Sequence, residues 1–280
     1  MPDSPPSYVR HIAKAGYAGK GLMYFAIAIL ALMAALGYAS DPEGMSGTMH
    51  TLADLPFGRI VLAVAAVGLA AYSFWRWFEA IRNPSGEDGA KGTAKRIAFA
   101  ISGAIHAALA YTATKIIFGQ GGRETDGATD QTAQETWSAI VLSWPMGMWL
   151  LIGVGLVIAA VGVRQLVRAY KAEFFDKLDA KGLDQSTVRT LRRTGRIGLT
   201  ARGIAFLLMG GFVMVAAWRH DPEQTRGLDG TLDVLSQQRY GQALLTAFAV
   251  GLACYAVYCW ASASLRSFGG SDTAQVDYMI

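Results

Sequence analysis

The stretch GYAGKGLMY at residues 16–24 decides the fold, because its pattern returns as GLTARGIAF at residues 198–206. In both copies the first and sixth residues are glycine, the fifth is a cation and the ninth is aromatic. Each copy opens a long apolar run. Glycine removes side chains from a helix surface and lets a neighbouring helix approach closely. The pattern therefore predicts a tightly packed apolar helix that the chain uses more than once.

The composition of the whole chain favours a membrane protein. Of 280 residues, 52% are hydrophobic, 16% are charged and 32 are glycine, whereas soluble domains carry about 25% charged residues and about 7% glycine. A membrane-spanning helix needs about 20 mostly apolar residues. Recurrence of the first apolar segment deep inside the chain argues against a cleaved signal peptide. The six predicted spans are residues 14–38, 57–80, 95–118, 144–170, 197–218 and 241–265.

The similarity between the two copies continues beyond their first helices. GTMHTLADLPFG at 47–58 matches GTLDVLSQQRYG at 230–241, and GLAAY at 68–72 matches GLACY at 251–255. A weaker third copy lies between them. Gly103 and His106 take the places of Gly21 and Tyr24, and WPMG at 144–147 takes the place of LPFG at 55–58.

Internal repetition on this scale predicts the architecture. We expect an all-α membrane protein in which one helix pair occurs three times, in repeats at residues 1–90, 91–180 and 181–280. Each repeat contains two spans, so all three enter the membrane in the same direction. Parallel repeats are related by an axis along the membrane normal. The prediction is a pseudo-threefold arrangement with the first helix of each repeat in an inner ring.

The motifs AGYAGKGLMY, LPFGRIVL and VGLAAY resemble the bacterial membrane proteins labelled domain of unknown function 1206. In that family a transmembrane helix pair occurs three times, and the resemblance covers roughly residues 10–265. The middle copy departs most, with Ala98 and Ser102 where the first has Gly16 and Lys20. The resemblance implies the fold and a membrane location, and it implies no activity.

Charge in the connections predicts the orientation. Residues 76–96 contain five Lys or Arg, and residues 164–202 contain ten against four acids, whereas the other connections are acidic. Cytoplasmic loops carry the excess of Lys and Arg. We therefore expect a bacterial inner membrane protein with both termini in the cytoplasm and anionic lipid at the basic loops. Binding of nucleic acid is not expected from RTLRRTGR at 189–196, because no aromatic or zinc-finger pattern accompanies it.

Several charged residues are expected at the membrane interfaces. Lys20 and Arg202 begin apolar runs, where a long side chain can keep its charge among the lipid headgroups. On the opposite side, the sequences after Asp41 and Asp221 predict short helices lying on the membrane face, with these acids as caps rather than metal ligands. Ordinary interfacial pairing is the expected role of the remaining charges at the inner helix ends, namely Arg76, Glu79, Arg164 and Arg168.

Chemistry-bearing motifs are scarce. The sequence lacks GxxxxGK[ST], HExxH, GxSxG and any Cys/His spacing typical of a metal site, so we expect no enzyme activity, cofactor or metal. His106 lies near mid-span, where ionisable groups are rare and commonly functional. A structural histidine bonded to a neighbouring carbonyl is the alternative. By the repeat alignment, His106 shares its position with Tyr24 and Phe206, which predicts a constriction lined by these three residues.

Two functions from different classes fit these observations. The first is a channel or transporter for a small solute or ion, since transporters are often built from repeats. The second is a non-catalytic membrane scaffold or accessory subunit, with a protein partner or a second copy of the chain. Buried polar side chains distinguish the two, because a transporter normally needs several polar groups at the membrane midplane, and His106 is the one that the sequence identifies there.

Overall fold

The structure, a computed structural model, describes residues 7–38, 45–82, 89–120, 130–172, 174, 175, 178 and 183–265. Over this part of the chain the fold is helical. The α-helices are α1 (Ser7–Ala35), α2 (Met45–Asp54), α3 (Gly58–Arg82), α4 (Gly89–Ile117), α5 (Asp130–Leu142), α6 (Gly147–Lys171), α7 (Gln185–Arg219), α8 (Leu228–Ser236) and α9 (Gly241–Leu265).

Six of these helices, α1, α3, α4, α6, α7 and α9, are long and apolar enough to cross a membrane, which confirms the predicted spans. The longest, α7, has 35 residues and extends about 52 Å at about 1.5 Å per residue, well beyond a hydrocarbon core of about 30 Å. Its first turns therefore stand outside the apolar region. They begin at Asp184, whose carboxylate accepts hydrogen bonds from the backbone N–H groups of Ser186 and Thr187. The hydroxyl groups of Ser186 and Thr187 also donate to this carboxylate, and these bonds, with those from the backbone, hold the pKa of Asp184 below its usual range.

A short helix connects the two spans of each repeat. The predicted helices after residues 41–44 and 221–224 are present as α2 and α8, and α5 occupies the corresponding place in the middle repeat. Thr225 Oγ1 donates to Ser138 Oγ at 2.9 Å, which ties the connection before α8 to α5. The three short helices thus lie at the same end of the six-helix bundle.

Within the first and third repeats, glycines bring the two spans into close contact. A Cβ atom at Gly19 would lie 2.5 Å from the Cα of Gly68, and one at Gly198 would lie 2.5 Å from the Cα of Tyr255. Any larger side chain would force these helices apart. The opening stretch of the sequence is therefore the surface by which α1 packs on α3, and its copy is the surface by which α7 packs on α9.

Contacts between consecutive repeats also recur. Trp77 of α3 donates to the Ala100 carbonyl of α4 at 3.3 Å, and Trp260 of α9 donates to the Ala18 carbonyl of α1 at 3.2 Å. These tryptophans and their acceptors occupy equivalent places in the repeat alignment. Between α6 and α7 the equivalent place is taken by Leu166, which packs on Gly203. The last repeat thus contacts the first, while a threefold rotation axis stays a prediction.

The predicted inner ring of first helices is wrong. In the described part of the chain, α1, α4 and α7 make no extended contact with one another, and each packs on second helices instead. The reason lies in the two glycine surfaces of α1: one packs on α3 and the other, at Gly21, on Trp260 of α9. First and second helices therefore alternate around the bundle.

Candidate functional site

A cation and a tyrosine from neighbouring helices form a buried pair in the first repeat. Lys20 Nζ of α1 donates to Tyr72 Oη of α3 at 3.3 Å and lies 4.4 Å from the centre of the same ring. The contact depends on the glycine surface, because a Cβ atom at Gly16 would lie 2.7 Å from the Cα of Tyr72. Close backbone approach thus brings the tyrosine hydroxyl within reach of the lysine.

The third repeat repeats this pair with arginine. Arg202 Nη1 of α7 donates to Tyr255 Oη of α9 at 2.9 Å and to Gln165 Oε1 of α6 at 3.3 Å. Because GLAAY matches GLACY, Tyr72 and Tyr255 are equivalent, as are Lys20 and Arg202. The sequence repeat therefore encodes a repeated interaction between a cation and a tyrosine, in addition to a repeated helix contact.

The expectation that Lys20 and Arg202 reach the lipid headgroups is wrong. Only 2% of Lys20 and 5% of Arg202 is exposed, and both side chains lie inside the protein. The equivalent tyrosine hydroxyl on the neighbouring helix accepts a hydrogen bond from each cation, so neither needs to extend along the helix toward water. A cation before a glycine indicates an interior pair in this fold.

An ion pair extends the first cation–tyrosine pair. Arg76 Nη1 donates to Glu79 Oε2 at 2.8 Å, and both side chains are almost fully buried. Arg76 Nε also donates to Tyr72 Oη at 2.9 Å. Interfacial pairing was expected for these residues. The pairing is present, but it lies inside the protein and not at the membrane interface. Arg168, for which an interfacial place was also expected, is buried, whereas Arg164 is exposed.

The repeat alignment held a signal for these residues that the sequence analysis missed. On each second helix, the residues four and seven positions after Tyr72 or its equivalent are buried. Five of these six residues are polar. The first set is Arg76, Gln165 and Cys259, and the second set is Glu79, Arg168 and Ser262.

The three residues expected at a constriction lie around these cations. The Arg202 guanidinium carbon is 5.8 Å from the Tyr24 ring centre and 4.9 Å from that of Phe206. His106 packs on Tyr72, with ring centres 4.5 Å apart, and its Nδ1 lies 2.8 Å from the Ser102 carbonyl oxygen. All three side chains remain half-buried. Their action as a constriction stays a prediction.

Together these side chains form one cluster to which all six spans contribute. Arg202 is close enough to interact electrostatically with Tyr72, and His106 with Lys20, Arg76 and Arg202. The two cation–tyrosine pairs are therefore neighbours in space. We name this group the polar cluster; its members are Lys20, Tyr72, Arg76, Glu79, His106, Gln165, Arg202 and Tyr255.

The polar cluster has hydrogen-bonding capacity to spare. Arg202 Nε and Gln165 Nε2 are buried and have no hydrogen-bond partner within the described residues. A buried donor left without a partner costs about 1–3 kcal/mol. Both atoms are donors, and Arg202 Nε belongs to the charged guanidinium, so these two atoms are suited to an oxyanion or a water molecule.

Of the two acids expected to cap short helices at the opposite end, Asp221 lies within the described residues and has a structural role. Asp221 accepts a hydrogen bond from the backbone N–H of Glu223 at 3.1 Å and caps the short 3-10 helix Pro222–Gln224. Asp41 lies outside the described residues. No group of three or more His, Cys, Asp or Glu side chains suited to a metal ion occurs in the described ranges.

Comparison with known proteins agrees with the repeat structure. The family model described as Domain of Unknown Function (DUF1206) matches residues 15–83, 97–172 and 197–266. The uncharacterized protein YxxB of Bacillus subtilis (strain 168) is 33% identical over 254 residues, which cover 90% of this chain and 89% of YxxB. No solved structure matches the chain. With three matched segments that follow the three helix pairs, the chain belongs to the DUF1206 family.

Proposed function

We propose that the protein is a channel or transporter that passes a small solute or ion, with anions favoured, through the polar cluster. The observation that carries this proposal is that all six spans contribute a polar side chain to one connected group. Ionisable side chains within membrane spans are costly, and they commonly mark pathways for solutes and ions. A scaffold that only packs against a partner has no need for buried polar side chains from every span.

The chemistry of the polar cluster favours an anion. Lys20, Arg76 and Arg202 bring three cations together, and Arg202 has no carboxylate partner in the described part of the chain. Guanidinium groups bind carboxylates and phosphates with good geometry. A solute that supplies negative charge would offset the cost of burying Arg202, whereas a cation would be repelled.

Location and orientation belong to the same proposal. We place the protein in the bacterial inner (plasma) membrane, with both termini and the two basic connections in the cytoplasm. Its similarity to a Bacillus protein supports a bacterial membrane. The polar cluster then lies toward the cytoplasmic ends of the spans, and the helices α2, α5 and α8 lie on the outer side.

The cytoplasmic ends of α6 and α7 offer a place for anionic lipid. A cavity of about 550 Å³ between them is lined by Leu166, Ala169, Tyr170, Arg196 and Thr200. Arg196 is exposed and donates to the Tyr170 carbonyl at 3.2 Å. This combination of an apolar wall and an exposed guanidinium suits a headgroup at the membrane surface.

Swelling of proteoliposomes tests the transport proposal. Vesicles containing the full chain are placed in isosmotic potassium chloride or potassium phosphate with valinomycin, so that anion entry limits the swelling measured by light scattering. We expect faster swelling than in protein-free vesicles and a reduction of at least about tenfold for Arg202→Gln, because the buried charge is lost. Arg219→Gln, an exposed change in the same helix, is the matched control.

Two outcomes would contradict the transport proposal. Swelling equal to that of protein-free vesicles for every anion removes the support for transport by these solutes. Equal swelling for the wild type and Arg202→Gln shows that the polar cluster is not the pathway. The alternative, a membrane scaffold or accessory subunit, is favoured by the exposed arginines on the first turns of α7, and co-purification of one stoichiometric partner would support it. Neither function requires enzymatic activity.

A further inference from the structure

The three contacts between consecutive repeats differ at one position. Trp77 at the α3–α4 contact and Trp260 at the α9–α1 contact each donate to a backbone carbonyl of the next repeat. The repeat alignment places Leu166 of α6 at the same position in the α6–α7 contact. Each of these side chains packs on the equivalent glycine of the neighbouring helix, which is Gly203 on α7. Leucine has no N–H group, so it cannot form the bond that tryptophan provides.

The cavity between α6 and α7 lies where this tryptophan is absent. Leu166, which stands in place of the indole, is one of its lining residues. Thr200 is another, and the repeat alignment makes it equivalent to Ala18 and Ala100, whose carbonyls accept the two tryptophan bonds. The cavity therefore lies at the part of the contact that an indole and its hydrogen bond close between the other repeats.

The cavity is accessible from the surface and has a cation at its rim. Arg196 and Thr200 are exposed, and Tyr170 is 85% exposed. Arg196 lies one turn before Thr200, toward the start of α7, so the charge stands at one end of the cavity. Around the cavity, α6 and α7 expose the apolar side chains Val163, Val167, Ile197 and Ile204. An occupant thus meets a guanidinium at one end and apolar surface along its length.

The buried side of the same helix contact belongs to the polar cluster. Gln165 directly precedes Leu166, and Arg202 follows Thr200 by two positions. Gln165 Oε1 accepts from Arg202 Nη1 at 3.3 Å, which is longer than most N–H···O bonds. The cavity and this bond therefore share the spacing of α6 and α7. An occupant that holds the two helices together also maintains the bond.

We propose that one anionic phospholipid of the cytoplasmic leaflet occupies this cavity and fastens α6 to α7 in place of the absent tryptophan. An acyl chain packs on Leu166, and the phosphate binds Arg196, whose five N–H donors exceed the one bond to the Tyr170 carbonyl. A free phosphate would leave the apolar wall uncovered, and an apolar helix would bring Arg196 no negative charge. The choice of leaflet rests on the orientation proposed above.

This lipid regulates the proposed pathway, because the Gln165–Arg202 bond belongs to it. Anion passage then increases with the amount of anionic lipid in the wild type, and it becomes independent of lipid when a tryptophan closes the contact. The regulatory role rests on the proposed transport function. Lipid binding and its effect on stability are measured without flux, so the two proposals are judged separately.

Native mass spectrometry of the full chain measures the lipid. The protein is purified with an equal mixture of phosphatidylglycerol and phosphatidylcholine, and the lipids that stay bound after release from detergent are counted. We expect one phosphatidylglycerol on the wild type and at least about a tenfold loss of retention in Leu166→Trp, because the indole fills the cavity. Val157→Trp, at a position 64% exposed on the same helix, is the matched control and should retain the lipid.

A second variant separates charge from space and keeps the test decisive if Leu166→Trp does not fold. Arg196→Gln leaves the cavity open, so we expect its retention of phosphatidylglycerol to fall to that of phosphatidylcholine. Excess inorganic phosphate should not displace the lipid from the wild type, because it lacks acyl chains. Displacement by phosphate, equal retention of both lipids by the wild type, or normal retention by folded Leu166→Trp or Arg196→Gln would overturn the proposal.

Thermal unfolding and vesicle swelling test the fastening. Phosphatidylglycerol should raise the melting temperature of the wild type by at least about 2 °C relative to phosphatidylcholine. It should leave that of Leu166→Trp unchanged, and swelling should depend on phosphatidylglycerol in the wild type alone. An equal rise in melting temperature for both proteins, or wild-type swelling that is the same in both lipids, would overturn the fastening role. Absence of swelling in every vesicle with normal lipid retention would count only against transport.

Discussion

Tyrosine hydroxyls are shared acceptors for the buried cations, beside the Glu79 carboxylate that pairs with Arg76. Tyr72 Oη accepts from Lys20 and from Arg76, and its ring face lies beneath both charges. Tyr255 Oη likewise accepts from Arg202, and its ring face lies beneath the Arg202 guanidinium. A neutral acceptor with a negative ring face stabilises a cation without cancelling its charge. The Arg202–Tyr255 pair therefore keeps a positive charge for the anion proposed above.

Removal of the Tyr72 hydroxyl should show how much the buried cations depend on this acceptor. Tyr72→Phe leaves the ring and takes away the shared acceptor of Lys20 and Arg76, so we expect a loss of about 1–3 kcal/mol in the free energy of unfolding. Thermal unfolding in detergent, followed by circular dichroism, measures it. Tyr111→Phe, at a position 67% exposed on α4, is the control. Equal stability of Tyr72→Phe and the wild type would show that the bonds carry little energy.

His106 is the titratable member of the predicted constriction with Tyr24 and Phe206. Histidine changes charge near neutral pH, and the cations Lys20, Arg76 and Arg202 act on it from three other helices. We expect His106→Phe to fold normally and to abolish any dependence of flux on pH over the range in which the protein stays folded. Swelling rates across that range provide the measurement. Full pH dependence in the variant would leave His106 with a packing role only.

At the scale of elements, glycine position decides which helices touch. The backbones of α1 and α3 meet where Gly19 faces Gly68. Gly19→Ala should therefore separate the two helices and lower the free energy of unfolding by about 1–3 kcal/mol, as overpacking does. Gly153→Ala on α6 is matched, because nothing lies within 4 Å of a Cβ atom there. Equal melting temperatures for both variants would contradict this account of the α1–α3 contact.

At the scale of the whole molecule, the alternation of basic and acidic connections predicts the direction of insertion. A fluorescent protein that matures only in the cytoplasm should stay dark when fused after Gly44 or Gly127, and it should glow when fused to the carboxyl terminus. Fluorescence and protein level in whole cells check this expectation. Bright fusions at both internal sites would reverse the orientation and would place the polar cluster toward the outer leaflet.

The sequence by itself determined the number of spans, the three repeats and two of the three short connecting helices, α2 and α8. These features follow from local properties: a run of about 20 apolar residues has few alternatives to a spanning helix, and a repeated motif repeats its helix. The position of His106 and its equivalence to Tyr24 and Phe206 were also readable. The capping role of Asp221 followed from the turn sequence around it.

Only the tertiary structure decided where the polar side chains lie. A lysine that begins an apolar run has the same local sequence whether it extends to the headgroups or turns inward, and the partner that decides is Tyr72, on another helix. The same holds for Arg76 with Glu79 and for the order of helices around the ring. These outcomes depend on which surfaces meet, and helix packing in a membrane is set by close contact between residues far apart in the chain.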